Sequence, residues 1–436
     1  MSVKVAKFGG SSLADANQIL KCKKIIEADP NRRYIVPSAP GKRFSEDEKI
    51  TDLLYQLHRE QNKAGSAAYQ KIRQRYVEIR DELGVSVDIE AHIRIVLENL
   101  ESGASADYAA SRGEYLNGLL LASLLGYDFV DAAEAIFFDE KGVYDHEKTI
   151  PALCAVLKKH TRAVIPGFYG SMADGSIKAF SRGGSDITGS IVACASGAVL
   201  YENWTDVSGF LKADPRIVKN PKKIDVITYR ELRELSYMGA TVLHEDSIFP
   251  VLQVAIPIHV KNTNDPENSG TVIVPSLDKD VASEETITGI AGKKNFTVIT
   301  IEKNGMNTEI GFGRRVLSCL EKYDISFEHI PSGIDSLCVV IADCKVSGCV
   351  DRLVDEIHKV CAPDSVEVSS NMALIATVGR GMIRRVGISA KLFAALAENG
   401  VNVRMIDQGS SEMNIIVGVE NDDFEKAVRA IYDALV

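Results

Sequence analysis

The chain opens on Val3, Val5 and Phe8, apolar positions broken by Lys4 and Lys7, a pattern that predicts a short buried strand. Gly9 and Gly10 let the backbone turn tightly, and Ser11 and Ser12 are residue types that start helices. Ala14 to Ala28 carries apolar positions at helical spacing. Arg33 to Pro37 is the next apolar run and closes on Ser38-Ala39-Pro40-Gly41. Strand, helix, strand with small residues at the strand ends predicts an α/β fold. Its sheet would be doubly wound and mainly parallel, with ligands outside the strand C-termini. Lys42 to Lys49 is a charged insertion, read either as a mobile flap or as a solvated loop without a role. Thr51 to Leu100 reads as helical and Ser102 to Ala110 as a small-residue stretch. Ser111-Arg112-Gly113-Glu114 then leads into a helix over Tyr115 to Leu125. Glu114 thus falls at a helix start, where a carboxylate is favourable with or without a ligand. Phe129-Val130-Asp131 and Ala163 to Gly167 are further buried strands.

A second glycine pair lies in Phe180 to Thr188 (FSRGGSDIT), ahead of a helix over Ile187 to Ala195. Each pair has a cation just before it, Lys7 or Arg182. Backbone N–H groups at a helix start favour anions, so the two turns read as two walls of one anion-binding cleft. Arg182 suits a carboxylate, which a guanidinium grips through two hydrogen bonds. The spacing is not that of a P-loop, because the lysine precedes the glycines. Trp204 to Gly209 ends another strand and runs on through Phe210 to Asp214-Pro215-Arg216. The lone tryptophan is either core or a platform for adenine. Tyr229 to Leu243 reads as a helix, Ile256 to Val260 and Thr271 to Val274 as strands, and Pro275 to Glu285 as a polar linker.

Beyond the linker the chain repeats itself. Leu320, Ile325, Ile330, Gly333 and Leu337 recur 76 positions later as Leu396, Val401, Ile406, Gly409 and Met413. Gly305-Met306 falls on Gly381-Met382, and Gly311 on Gly387, at the same offset. One small α+β unit is therefore used twice. Neither copy holds a nucleophile–base pair or a metal-ligand cluster, which points to effector sensing.

Composition narrows the partners. A net charge of −10 argues against nucleic acid or an anionic membrane, so an anionic substrate must be held by local cations. The N-terminus has no signal-sequence pattern and no apolar run reaches membrane-spanning length, which predicts a cytoplasmic protein. Eight cysteines lie scattered without a CxxC; Cys338, Cys344 and Cys349 fall in or beside one strand and read as reduced core thiols. The histidines form no HExxH.

In this order, KFGGSS, SRGE (Ser111 to Glu114), SRGGSD (Ser181 to Asp186), WTDVSGFLKADPR (Trp204 to Arg216), GATVLH (Gly239 to His244) and the tandem repeat resemble the aspartate kinases of the amino-acid kinase superfamily. The resemblance implies an amino-acid kinase domain over 1–280 and a ferredoxin-like tandem ACT region over 281–436. The first ACT unit (about 297–370) would be inserted into the second (about 287–296 plus 371–436), pairing Ile287 to Ala291 with Leu374 to Val378. It implies transfer of phosphate from ATP, with Mg²⁺, to the side chain of L-aspartate, the first step towards lysine, threonine and methionine. Lys7 would stabilise the transferring phosphoryl, Asp186 would orient Lys7, and Gly9, Gly10 and Ser11 would cradle the phosphates. Arg182 would hold the substrate α-carboxylate and Glu114 its α-ammonium, with Ser38, Ala39, Thr51 and Ser185 positioning it. Thr205, Asp206, Leu211, Lys212, Arg216 and Thr241 would line the nucleotide. Lysine and/or threonine would act as effectors near Met306, Gly311, Phe312, Gly313, Glu328 and Ser332, with Gln408, Asn414 and Ile415 in the second copy. The ACT units would also form a homodimer or higher oligomer.

Two positions depart from the family pattern: Thr241 where a lysine is usual and Leu211 where a tyrosine is usual. A phosphate-facing cation is thereby missing, and Lys212 is the candidate to replace it. The chain ends at Val436, without the homoserine dehydrogenase half of bifunctional relatives. Two other readings remain: an amino-acid sensor with a decayed kinase domain, and a kinase for a glutamate derivative.

Overall fold

The computed structural model describes residues 2–181, 183–240, 243, 245–277 and 285–436. Arg182, Thr241 and most of the expected linker lie outside the described residues. The chain forms two compact units: Met1–Phe210 with Lys223–Leu232 and Thr241–Asp278, and Leu211–Lys222 with Arg233–Ala240 and Lys279–Val436.

In the first unit, β1 (Lys4–Phe8), α1 (Ala16–Glu27) and β2 (Arg32–Pro37) are followed by α2 (Ile50–Arg59), α3 (Ala67–Leu83), α4 (Ile89–Glu101) and α5 (Ala106–Leu125). Next come β3 (Asp128–Phe129), α6 (His146–Leu157), β4 (Ala163–Val164), β5 (Tyr169–Ser171), β6 (Ile177–Ala179), α7 (Gly184–Ser196) and β7 (Leu200–Thr205). After β8 (Val226–Thr228), α8 (Tyr229–Tyr237) and α9 (Phe249–Gln253), β9 (Ile258–Asn262) and β10 (Thr271–Val274) finish an eight-stranded sheet ordered β8-β10-β9-β7-β1-β2-β4-β3. Every neighbouring pair is parallel except β9 with β10. Central β1 therefore runs in the same direction as β2 and β7 on either side, and the three bring their C-terminal ends to one edge.

Three expectations are corrected and one open alternative, that of Trp204, is decided. The helix expected over Tyr115–Leu125 begins at Ala106, because the Ser105 hydroxyl accepts from the Tyr108 N–H and caps it there. Small residues such as Ala109 and Ala110 are its buried face, not a loop, and Glu114 sits in mid-helix. The helix expected to reach Leu243 stops at Tyr237, before Gly239 turns into left-handed backbone at φ 104°. Trp204 is 1% exposed and stacks on Phe8, 6.1 Å between ring centroids, so it is core and not an adenine platform. Cys344 is exposed, so it is not a core thiol.

The charged insertion is no free flap. Arg75 of α3, itself buried, lies 2.6 Å from Asp47 and donates to the Gly41 carbonyl at 3.1 Å. Burial alone would raise the Asp47 pKa, but hydrogen bonds from Arg43 and the Arg75 charge hold it well below the usual carboxylate range. Its stabilising contribution is present at neutral pH and is lost as acid protonates it, below the unfolded value of about 3.9. Asp47→Ala strands a buried guanidinium, and we expect urea denaturation to show a loss of about 3 kcal/mol.

In the second unit, β11 (Gly289–Glu302), α10 (Phe312–Lys322), β12 (Ser336–Ala342), α11 (Val350–Cys361), β13 (Ser365–Val378), α12 (Ile388–Glu398), β14 (Met405–Asp407), β15 (Asn414–Glu420) and α13 (Phe424–Leu435) form a five-stranded antiparallel sheet with helices. Its order is β12-β11-β13-β15-β14. Long β11 and β13 pair along their length, placing Gly289, Ile290 and Ala291 opposite Val378, Thr377 and Ala376. Asn295 and Asn371, both near φ 70°, absorb the bulge between the two halves of this ribbon. The 76-residue repeat survives in detail: Gly311 (φ 82°) and Gly387 (φ 91°) each precede an 11-residue helix. The residues just before them, Ile310 and Val386, are 97% and 99% exposed.

Candidate active site

β1 places Lys7 between Val36 of β2 and Asn203 of β7. The lysine is 7% exposed, and its Nζ lies 2.6 Å from Asp186 Oδ1. Asp186 stands in the first turn of α7. The same carboxylate oxygen accepts from Asn203 Nδ2 at 2.8 Å, and the Asp186 carbonyl accepts from the Tyr201 hydroxyl at 3.1 Å. Two strand residues thus hold Asp186, and Asp186 holds the ammonium. The sequence reading missed Asn203; its only signal was an amide next to Glu202 in the middle of the buried strand β7.

The two glycine pairs are not equivalent. Gly9 donates its N–H to the Trp204 carbonyl at 2.9 Å, and Gly10 opens a four-residue 3₁₀ turn, Gly10–Leu13. The α-helix starts only at Ala16, capped by Asp15, so this loop presents turn N–H groups without an α-helix N-terminus. Glycine at position 10 is required by packing: a Cβ there would stand 2.9 Å from the Ala39 carbonyl oxygen. Lys7 Nζ is 3.6 Å from where a Cβ would sit on Gly9, so the ammonium overhangs the loop. The second pair opens a 13-residue α-helix: Gly183, at φ 58°, precedes α7, and no side chain caps it. Ser185, buried in that first turn, packs where a Cβ on Gly167 would be, at 2.7 Å.

α5 faces the end of β2. A Cβ on Gly113 would stand 2.8 Å from the Ala39 Cβ, and Ile50 at the start of α2 packs on the same spot. Ser38 and Ala39 therefore lie beside Glu114, with Thr51 in the adjacent first turn of α2. Glu114 is 5% exposed, and its Oε2 has no hydrogen-bond partner. Burial pushes its pKa up to about 8, against the opposing pull of the Ala39 N–H and of the Arg112 and Lys7 charges. A buried carboxyl with an open oxygen can accept a cationic donor once it is ionised. Arg112, whose role the sequence left open, is buried among Tyr108, Tyr115 and Tyr169, 4.6, 4.6 and 5.1 Å from their ring centroids.

Thr205 and Asp206 follow at the end of β7, joined by a 3.2 Å hydrogen bond, with Asp206 exposed. Among the described residues no three His, Cys, Asp or Glu cluster as a metal cage.

The profile of the amino acid kinase family matches residues 2–262, and an ACT domain profile matches residues 375–435. Aspartokinase 3 of Bacillus subtilis is 38% identical over 450 residues, covering 99% of this chain and 98% of the relative. The chain belongs to the aspartokinases. Its enzymatic class, aspartate kinase, follows from that membership. Among solved structures it is similar to Clostridium acetobutylicum aspartate kinase, described as allosteric, at 56% identity and TM-score 0.90, each chain covered in full. It is also similar to E. coli aspartokinase III, each chain covered to 99%: at 27% identity and TM-score 0.79 to the complex with aspartate and ADP, and at 26% and 0.74 to the complex with lysine and aspartate.

The remaining residues singled out in this aspartokinase belong to the second unit. Lys212 is buried, with Nζ 2.8 Å from Glu285 and 3.5 Å from the Ile287 carbonyl, so its ammonium is already paired there rather than standing as a free cation. Leu211 is 39% exposed, and the exposed Arg216 chelates Asp214 at 2.6 Å. Met306 and Gly311 lie in the loop between β11 and α10, and Phe312 and Gly313 open α10; Met306 and Phe312 also join the local core. The Glu328 N–H donates to the Val340 carbonyl of β12, and Ser332 and Gln408 are exposed. Ile415 is core, whereas Asn414 donates from Nδ2 to Glu234 at 2.7 Å. Among the described residues, no helix is long and apolar enough to cross a membrane.

Proposed function

We propose that this chain transfers the γ-phosphoryl group of ATP to the side-chain carboxylate of L-aspartate, giving 4-phospho-L-aspartate and ADP. We further propose that lysine and/or threonine restrain it through its ACT units, which also join copies into a homodimer or higher oligomer. The observation that carries the catalytic reading is the pairing of two cleft features. Lys7 is held by Asp186 over the Gly9 loop, and Glu114 is buried with an open oxygen beside Ser38 and Ala39. The first suits phosphoryl charge and the second an amino-acid ammonium.

The chemistry asks little proton transfer of the protein. A carboxylate of unperturbed pKa about 3.9 is already ionised at neutral pH, so its oxygen attacks the γ-phosphorus without a base. The bond from that phosphorus to the bridging oxygen of ADP breaks as the new P–O bond forms. The barrier lies in bringing two anions together, so the work is positioning and charge stabilisation. Lys7 meets the transferring oxygens and Asp186 keeps it aimed. The open N–H groups of Gly10 and Ser11 and of the first turn of α7 face phosphate or carboxylate. Arg182 holds the substrate α-carboxylate, Glu114 its ammonium, and Ser38, Ala39, Thr51 and Ser185 its place. Thr205 and Asp206 border the nucleotide, whose Mg²⁺ screens the phosphate charge.

ATP-dependent acyl-phosphate formation, trapped as the hydroxamate, tests this on L-aspartate, N-acetylglutamate and glutamate, with and without millimolar lysine or threonine. Turnover on aspartate that falls with one effector is the expected result. Turnover on a glutamate derivative alone overturns the substrate. Effector binding by calorimetry without any turnover makes the chain a sensor.

A further inference from the structure

Three polar side chains of α5 are buried with an unpartnered atom: Arg112 Nη2, Glu114 Oε2 and Asn117 Oδ1. Arg112 is enclosed by tyrosine rings, whereas the other two are acceptors one helical turn apart and so share a face. Both are tied to the same two residues at the end of β2. The Ala39 N–H donates to the Glu114 carboxyl, and Asn117 Nδ2 donates to the Ser38 carbonyl at 2.7 Å. That second bond sets the orientation of the Asn117 amide, because its NH₂ is spent on Ser38 and its oxygen must point elsewhere. Asn117 is 0% exposed, in the otherwise apolar run Leu116 to Leu121. A buried amide oxygen with no donor costs stability, so its retention in a well-packed helix calls for an occupant that supplies one.

We infer that Asn117 is a substrate-binding residue: its Oδ1, with Glu114 Oε2, forms a two-acceptor receptor for the α-ammonium of the amino-acid substrate. The inference deepens the proposed function and rests on it. An ammonium carries three donors, and one carboxylate oxygen leaves two of them unmet. Asn117 takes a second one without adding charge, so the receptor favours an amino acid over the same dicarboxylate without its amine.

The test compares aspartate with succinate, which keeps both carboxylates and lacks the ammonium. In Asn117→Leu, KM for aspartate is expected to rise tenfold to a hundredfold, roughly the worth of a charge-assisted hydrogen bond. KM for ATP and the Ki of succinate as a competitor of aspartate stay within about twofold, since neither ligand offers the donor. A merely structural role, exerted through Ser38, would weaken succinate and aspartate together, and that result overturns the inference. So does a KM for aspartate that moves less than about twofold. If Asn117→Leu fails to fold, Asn117→Asp decides alone. Burial keeps the introduced carboxyl protonated, so it donates to Ser38 and retains an acceptor oxygen, and KM for aspartate should stay within about threefold. A tenfold or greater rise in that variant overturns the inference. A parent enzyme inactive on aspartate is a different outcome and removes the proposed function itself.

Discussion

Lys7→Met is expected to lower kcat by about a thousandfold, with KM for aspartate within about threefold, because its charge matters most where phosphoryl charge spreads in the transition state. The ammonium is buried and held 2.6 Å from Asp186, which Asn203 fixes in turn, so it meets that charge without reorganising. Its position over Gly9 leaves little room for a larger head group, so Lys7→Arg should not restore turnover. The substitution also strands the Asp186 carboxylate, which would then repel a phosphate, and this adds to the loss. Asn203→Leu should show a weaker version of the same defect. Stopped-time hydroxamate assays at saturating ATP measure both; a Lys7→Met enzyme within about tenfold of the parent removes Lys7 from the chemistry.

Glu114→Gln is expected to lower kcat/KM for aspartate by about a hundredfold at pH 8, and to flatten its pH dependence. The buried carboxyl has its pKa raised to about 8, so at neutral pH much of the free enzyme carries it protonated. Only the ionised form pairs with an ammonium. In the parent, kcat/KM for aspartate therefore climbs about tenfold per pH unit from pH 6 towards 8 and levels off above it. A glutamine cannot ionise, so the variant loses the climb along with the affinity. The kcat profile at saturating aspartate should stay flatter, because bound substrate stabilises the carboxylate. A variant that keeps the parent's slope would place the titrating group elsewhere.

Much of the fold was legible because its signals are local. Apolar periodicity marked β1, α1 and β2 to within a few residues, and the tandem repeat was visible from spacing alone, down to Gly311 and Gly387. The reading failed where tertiary contacts overrode local signals. Ser102 to Ala110 read only as a small-residue stretch because small residues carry weak periodicity, yet from Ala106 onward it is the first part of α5, with Ala109 and Ala110 buried. Lys42 to Lys49 looked free because its anchor, Arg75, lies in another helix. Lys212 looked like a spare cation because Glu285 comes far later in the chain.

The candidate site divides along the same line. The residue types and their order were set in the sequence: a lysine before one glycine pair, a serine–aspartate after the other, a glutamate in SRGE, and a repeat with no catalytic groups. These were enough to place the chain among the aspartokinases. The family resemblance already implied that Asp186 orients Lys7, and the tertiary structure joins the two across β1 and α7. Folding alone decided that Glu114 withdraws from a helix end into the interior, where desolvation raises its pKa. It also set Asn117 beside Glu114 with an oxygen unspent. Periodicity is a property of neighbouring residues, whereas burial and pairing depend on segments that only folding brings together.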